Sequence, residues 1–532
     1  MTLNVEPVRD NVVQPLTAAV PEFSTIFINR DLSLLEFFRR VLEEALDKEQ
    51  LPLERLKFVT ILSSILDEFF MIRVAGLKEK QGREIGVSPD GYTTDELLLE
   101  IRERVEEMVR MQMNCLREEI MPALADAGIE IVPVASLSAD ERQYVDDQFE
   151  NCIYPILTPQ AVDPTHPFPY ISGGSTNIGV FARPELNRRT AQAIGSKEHE
   201  FFVRIKIPPH ADPLLRIAED SEKFVLIDDL VISNIKRLLP EADPLSCHLF
   251  RITRDADGDL REAETEDLLE TMEQNLKRRR FGDVVRLEVA RSMPRKMVEY
   301  LTESLQIDES DVYSIDGPVS VSAISGLYKL NRPDLKEKTV TPHVPAMLQG
   351  GVSKFEVIKN QDILLHHPYN PYTIVTDFLR EAVEDPDVLA IKMCLYRIGA
   401  DSPIAPLLIK ASEAGKQVTA VIEIKARFDE ANNIEWAKRM EQAGVHVVYG
   451  ILGLKTHCKA TLVVRNEGEE LVRYVHVATG NYNPETSAFY TDLGLLTADK
   501  EIGEDITPNL RTIRAIPLRI PVDEKGPKPP AY

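Results

Sequence analysis

A change of texture twice along the chain predicts a multidomain protein of mixed class: a helical N-terminal domain, an α+β middle domain and an α/β catalytic layer. At 532 residues the chain is long enough for several domains of roughly 150 residues each. Apolar residues recur at helical spacing up to about residue 128 and then shorten into runs broken by Pro and Gly. From about residue 340 they settle into a strand–helix–strand rhythm. The formal charge of −24 argues against an indiscriminate coat for nucleic acid or anionic membrane, because the global field repels polyanions. It leaves room for a local cationic cleft.

The elements follow in order. Residues 1–23 hold three prolines and no apolar period, and read as a loose arm. Ser33-x-x-Glu36 predicts a capping box, and Leu34, Phe38, Val41, Leu42, Ala45 and Leu46 predict the helix that it opens. Pro52 starts a second helix that runs to about Lys80. A third spans about Asp95 to Ala127, supported by Glu100–Arg104 and Glu106–Arg110 at i,i+4 and stopped by Gly128. Residues 24–128 therefore read as one helical domain. In the middle domain, 129–339, strands at Phe201–Ile207 and Lys223–Ile227 mix with helices near Ala139–Glu150 and Glu264–Lys277. The catalytic layer, 340–505, alternates strand Val388–Leu395, helix Pro403–Ala414, strand Val418–Ile424, helix Asn433–Ala443 and strand Val445–Tyr449. Ala460–Val464 and Val472–Val477 then read as paired neighbours. Residues 506–532 contain six prolines, five basic and two acidic side chains and no apolar period, and read as a disordered Pro-rich tail.

No run of about 18 apolar residues occurs, so no transmembrane helix is expected. MTLNVEPVRDNVVQPL lacks the apolar stretch of a secretory signal. Five scattered cysteines without a CxxC motif fit a reducing compartment, so the expectation is cytoplasmic.

Chemistry-bearing residues concentrate in 390–492. In Gly453-Leu-Lys-Thr-His457-Cys-Lys459 a His and a Lys two apart at a strand edge share a face. There an ammonium suits an anionic phosphate while the imidazole attacks phosphorus. The same pattern also fits an ordinary surface His and Lys. Thr479-Gly-Asn-Tyr-Asn483 offers a small-residue turn, and together the two resemble the H-x-K … G-[ST]-x-N signature of phospholipase D-like phosphotransferases. The acid that signature places seven residues after the His is Val464 here. Arg397 and Arg427 follow two strands at equivalent places, where carboxyl strand ends converge on one crevice. Guanidinium forks there suit a string of phosphates, or else salt bridges to Asp429, Glu430 or Asp401. Asp67 and Glu68, adjacent on a helix, diverge too far for paired acid–base work.

The chain resembles the polyphosphate kinase family of the phospholipase D-like, phosphohistidine type, which interconverts ATP and long-chain polyphosphate. The resemblance is carried by NRDLSLLEFFRRVL, SSILDEFFMIRVAGLK, LTPQAVDPTHPFPYIS, RRRFGDVVRLEV, DILLHHPY, DPDVLAIKMCLYR, IKARFDEANNIEWAK, AGVHVVYGILGLKTHCK and HVATGNYNPETSAFYTDLGLLTAD. They cover about residues 25–505 in family order. It implies that His457 is the histidine phosphorylated on its imidazole, with Lys459 neutralising the transferring phosphoryl group. Arg397 and Arg427 match the arginines assigned to the magnesium–phosphate site. A guanidinium has five donors and no acceptor, so the expectation is that both grip phosphate oxygens that also carry Mg²⁺. Tyr490 matches a nucleotide-contacting tyrosine, or is simply a half-buried strand aromatic.

Two departures accompany the match. The family's nucleotide-contacting asparagine in S-S-N-L-D-E-F is Ile65 here, which makes no side-chain hydrogen bond. The family also continues beyond T-A-D into a second phospholipase D-like domain bearing a further arginine and a second histidine, and these 532 residues do not contain it. The expectations are therefore ATP, ADP and inorganic polyphosphate as ligands, no nucleic acid partner, self-association on family precedent, and impaired activity. The rivals are a hydrolase that passes the phosphohistidine to water, and a degenerate copy that binds polyphosphate without turnover. His166, His366 and His367 lie in matching motifs and are expected to cap or pack, and His446 and His476 to be satisfied core or edge residues.

Overall fold

The computed structural model describes residues 27–81, 88–162, 168–185, 200–256, 269, 272–273, 281–426, 429–450 and 455–512. They divide into two compact units, residues 1–257 with 280–337, and residues 258–279 with 338–532.

In the first unit the helix Arg30–Leu46 opens earlier than expected. Asn29 caps it by accepting from the Asp31 and Leu32 amides at 2.9 and 3.0 Å. This overturns the Ser33-x-x-Glu36 box. Asn29 offers a short acceptor a turn upstream, so Ser33 already lies inside the helix with its amide on the Asn29 carbonyl. The second helix runs from Pro52 to Lys80 with a π-helical turn at Phe70–Val74. The third comprises Thr94–Cys115, a π turn Leu116–Ile120 and Met121–Asp126, and Gly128 ends it at φ +89°. Arg104 meets Glu100 at 2.8 Å, whereas Glu106 pairs with Arg102 at 2.7 Å rather than with Arg110.

Leu35, Phe38 and Leu42 share one core with Leu56, Val59 and Leu62 of the second helix. That core also takes in Leu214, Phe224, Val285 and Tyr313, so the N-terminal helices and the middle segment bury their apolar faces together. The middle segment forms a six-stranded sheet ordered Gln160–Val162, Phe201–Lys206, Thr176–Pro184, Ala242–Arg254, Val284–Ala290 and Val312–Ile315. Most of the helix expected near Glu264–Lys277 lies outside the described residues, as does His166. Asp67 is caught between Arg251 and Arg286, and Arg251 also reaches Glu288 at 2.7 Å.

The second unit is a mixed seven-stranded sheet. In chain order its strands are β1 Ile363–His367, β2 Val388–Leu395, β3 Gln417–Ile422, β4 His446–Tyr449, β5 Ala460–Glu467, β6 Glu470–Ala478 and β7 Asp492–Thr497. The spatial order is β1-β7-β6-β5-β2-β3-β4. β2, β3 and β4 are parallel, joined by the helices α1 Ile404–Glu413 and α2 Glu430–Gln442. β5 and β6 pair antiparallel with Leu462 opposite Val475, the pairing expected from their spacing. One face is covered by a core including Ile391, Met393, Ile422, Trp436 and Tyr474.

On the other face Cys394, Val421, Leu462 and Val475 meet Ile502 and Ile506 of a final helix, α3 Lys500–Thr512. This corrects the tail expected from residue 506. Asp499 accepts from the Ile502 amide at 2.9 Å, and Ile502 and Ile506, one turn apart, give the helix an apolar stripe to seat on the sheet. Residues 513–532 lie outside the described residues.

Candidate active site

Lys455, His457 and Lys459 alternate on the approach to β5, so extended backbone sends all three to one side. What they meet there is Tyr396, one residue beyond β2. The His457 imidazole stands against the Tyr396 ring with centroids 4.7 Å apart and planes at 81°. Lys459 Nζ lies 5.2 Å from that ring's centroid, Lys455 Nζ 5.7 Å and Arg397 Cζ 5.8 Å. His457 is exposed, whereas Lys459 is 6% exposed and donates to the His457 carbonyl at 2.6 Å.

This environment favours a neutral imidazole. Partial burial holds His457 below the ordinary histidine value, and the charges of Lys459, Lys455 and Arg397 lower it further. Burial likewise lowers Lys459, opposed by Cys458 and by Asp492. Asp492 comes from the start of β7 and accepts from Thr479 Oγ1 at 2.7 Å. It acts on Lys459 from 33 residues further along the chain, whereas the position of the expected local acid is Val464. Its approach explains Gly480, where a Cβ would stand 2.6 Å from the Asp492 carboxyl group. The turn Thr479–Asn483 thus makes room for an acid and, through Asn483, caps the helical turn Pro484–Ser487 at the Glu485 and Thr486 amides.

The loop carrying Tyr396 and Arg397 is held from α2. Asn433, fully buried, accepts from the Ile398 amide at 3.2 Å and donates to the carbonyls of Tyr396 at 2.6 Å and Glu423 at 2.9 Å. Trp436 Nε1 donates to the Gly399 carbonyl at 2.9 Å, and Gly399 takes φ +76°. Glu423, 1% exposed, accepts from the Lys425 amide at 2.9 Å and from the Thr456 amide at 2.6 Å, next to His457. Cys458 presents an exposed thiol pulled down to about 6, chiefly by a hydrogen bond from the Cys394 thiol.

Of the residues expected at the site, the structure brings together His457, Lys459 and Arg397. Arg397 also makes the alternative salt bridge, its Nε 3.5 Å from Asp429. Arg427 lies outside the described residues. Tyr490 is 53% exposed with its ring against Phe489 at 5.0 Å. Ile65 is partly buried against the core of the first unit. His476 is buried, with Nδ1 2.8 Å from the Tyr482 hydroxyl, and burial pushes it down to about 3. His367 is buried too and donates from Nδ1 to the Asn370 carbonyl at 2.8 Å. Tyr396, Lys455, Asp492, Glu423 and Asn433 were not singled out from sequence. Only the alternation of Lys455 with His457 and Lys459 carried a local signal.

An exposed imidazole held below its ordinary pKa, with three cations gathered at the ring beside it, has the chemistry to meet an anionic group. Three family models match the chain: the polyphosphate kinase N-terminal domain over residues 27–132, the middle domain over 140–327 and the C-terminal domain 1 over 353–516. The chain is 43% identical over 510 residues to a polyphosphate kinase of Parasynechococcus marenigrum, covering 90% of this chain and 70% of that one. It is 44% identical over 499 residues to a polyphosphate kinase of Mycobacterium tuberculosis, covering 90% and 66%. The crystal structure of polyphosphate kinase from Porphyromonas gingivalis superposes with a TM-score of 0.75 at 26% identity, covering 92% of this chain and 70% of that one. The chain belongs to the polyphosphate kinase family. It spans about two thirds of the length of these curated relatives.

Proposed function

We propose that this chain transfers the terminal phosphate of ATP, reversibly, to inorganic polyphosphate through a phosphohistidine on His457. The observation that carries this reading is the exposed imidazole held below its ordinary pKa among Lys455, Lys459 and Arg397. A lone pair on the neutral ring attacks the γ-phosphorus and the bond to the bridging oxygen breaks. ADP leaves with that oxygen, and the imidazole is left carrying the phosphoryl group. Lys459 and Arg397 meet charge on the equatorial oxygens, the kind of positioning and neutralisation that dominates phosphoryl transfer. Asp492 stands beside Lys459, and Asp429 holds Arg397 in place. Return of the phosphoryl group to ADP, or its passage to a polyphosphate end, restores the imidazole.

Magnesium was expected at Arg397 and Arg427, but the described residues offer it no protein cage. No three His, Cys, Asp or Glu come together among them, and a guanidinium has no acceptor. The ion would arrive on the phosphate oxygens of the nucleotide, with Arg397 gripping those oxygens beside it. The half-reaction at His457 is the part for which this chain supplies the residues.

With γ-labelled ATP, the expected result is acid-labile, base-stable label on the wild-type chain and none on His457→Ala of unchanged fold. Label released only as free phosphate would replace transfer by hydrolysis, and label persisting in His457→Ala would overturn the assignment.

A further inference from the structure

Four groups that the proposed reaction needs converge on one side chain. Tyr396 touches His457 ring to ring, and Lys459, Lys455 and Arg397 all hold their charges within 5.8 Å of its centroid. Tyr396 in turn has little freedom. It follows β2 directly, and Asn433 grips its carbonyl at 2.6 Å and the amide two residues on at 3.2 Å.

We propose that Tyr396 is the positioning residue of this site, its ring setting the His457 imidazole and gathering the three cations around it. The proposal rests on the phosphohistidine reading. The physical argument concerns what holds a cation without cancelling it. A carboxylate would hold a lysine by neutralising it, as Asp429 does in part for Arg397. An aromatic face attracts ammonium and guanidinium groups through its quadrupole yet carries no net charge. Cations gathered on Tyr396 therefore keep their full charge for phosphate oxygens. The same ring limits rotation of the imidazole, because aromatic pairs favour tilted and edge-to-face arrangements.

The ring's work shows in a property of His457 that does not depend on turnover. Partial burial depresses the His457 pKa, and the charges of Lys459, Lys455 and Arg397 depress it further. Around them stand Cys458 and Asp492 beside Lys459, Asp429 beside Arg397, and Glu423 on the Thr456 amide. Without the ring, the exposed Lys455 is released to water, Lys459 is less firmly placed, and the depression weakens. The His457 pKa then rises toward the ordinary value of about 6.5.

The test compares Tyr396→Phe, Tyr396→Leu and Tyr396→Met in the full chain, with two readouts: NMR titration of His457 and the single-turnover rate of its labelling by ATP. Phe keeps the ring, so both readouts should stay close to wild type. Leu and Met remove it. They should raise the His457 pKa and slow labelling by about 10- to 100-fold, less than the ~100- to 1,000-fold that loss of a direct transition-state donor costs. If Leu does not fold, Met carries the comparison. A His457 titration unmoved in the ringless variants overturns the proposal, as does Phe failing as badly as Leu, which would assign the effect to the hydroxyl. Absence of label from every chain, wild type included, would sink the phosphohistidine reading, while the titration alone would still decide the role of the ring.

Discussion

Burial and three neighbouring cations hold His457 below its ordinary pKa, and under the proposed transfer the sign of that shift predicts a pH profile. In the proposed reaction the neutral imidazole is the nucleophile, and its pKa is held below the ordinary histidine value near 6.5. Labelling should therefore hold its rate as pH falls past about 6.5 and decline only beneath that. A single-turnover series from pH 8 to 4 checks this. A fall already complete at pH 6.5, or none at all, contradicts it. Cys458 gives a second prediction from its own neighbour. The neighbouring Cys394 pulls its pKa below the ordinary cysteine value and so raises the thiolate share at pH 7. Iodoacetamide at pH 7 should alkylate Cys458 before the buried Cys115 and Cys394, and Cys394→Ala should slow that reaction by roughly tenfold. Peptide mapping by mass spectrometry reads both rates. Equal alkylation of Cys458 with and without Cys394 would show that the thiol contact is not the cause.

At the scale of elements, α2 governs the site from behind. Asn433→Ala removes three hydrogen bonds at a position with no solvent access and orphans the groups they satisfied. The expected cost is about 3 kcal/mol of local stability, from lost bonds and unpaired buried groups together. Hydrogen exchange at the Ile398 amide should accelerate accordingly, and an unchanged rate would mean that the loop holds itself. This scale also shows what the sequence could disclose. The alternation from Val388 to Tyr449 revealed β2, β3 and β4 with their helices to within a few residues, because buried parallel strands are written as short apolar runs. The Pro52–Lys80 helix was equally plain. Ser33 misled because a local motif says nothing of a better cap four residues upstream. Helix α3 was missed because its apolar stripe rests on only two isoleucines, at the border of a proline-rich stretch. Asp492, Tyr396 and Asn433 could not be read as site residues. Elements far apart in sequence bring them together around the loop and strand that carry Tyr396 and Lys459, and nothing in their local spacing signals the meeting.

Across the molecule, charge is arranged against its own average. The chain carries −24 overall, yet three cations and His457 crowd a single aromatic ring. The first unit gathers charge for a different purpose. Asp67 ties the second helix to two strands of the six-stranded sheet through Arg251 and Arg286. Burial opposes its charge, but the bonds to the two arginines hold its carboxyl below the usual range. A depressed carboxyl stabilises the fold above its unfolded pKa of about 3.9, and that stability disappears as pH falls through the folded value. Asp67→Asn should cost about 3 kcal/mol at pH 7, because it leaves two buried guanidinium groups with Glu288 alone. Hydrogen exchange along Ala242–Arg254 measures the loss at pH 7. A variant as protected as wild type there would show that the arginines need no second acid. The partners that hold Asp67 lie 184 and 219 residues away in sequence, so no local pattern announces them.

The π turn at Phe70–Val74 gives that latch one place where it tolerates a change of chain length. A π turn accommodates one residue more than regular winding would. Each residue of an α-helix turns the chain by about 100°. Removing any single residue from Phe70–Val74 would let the helix wind regularly, with its helical propensity intact or improved. The two ends would keep their facing, because the wider turn is what absorbs the extra residue, so Asp67 and the Ala75–Lys80 segment would still meet their partners. A codon deletion in the regular turns on either side would instead rotate one end by about 100° and part Asp67 from its arginines.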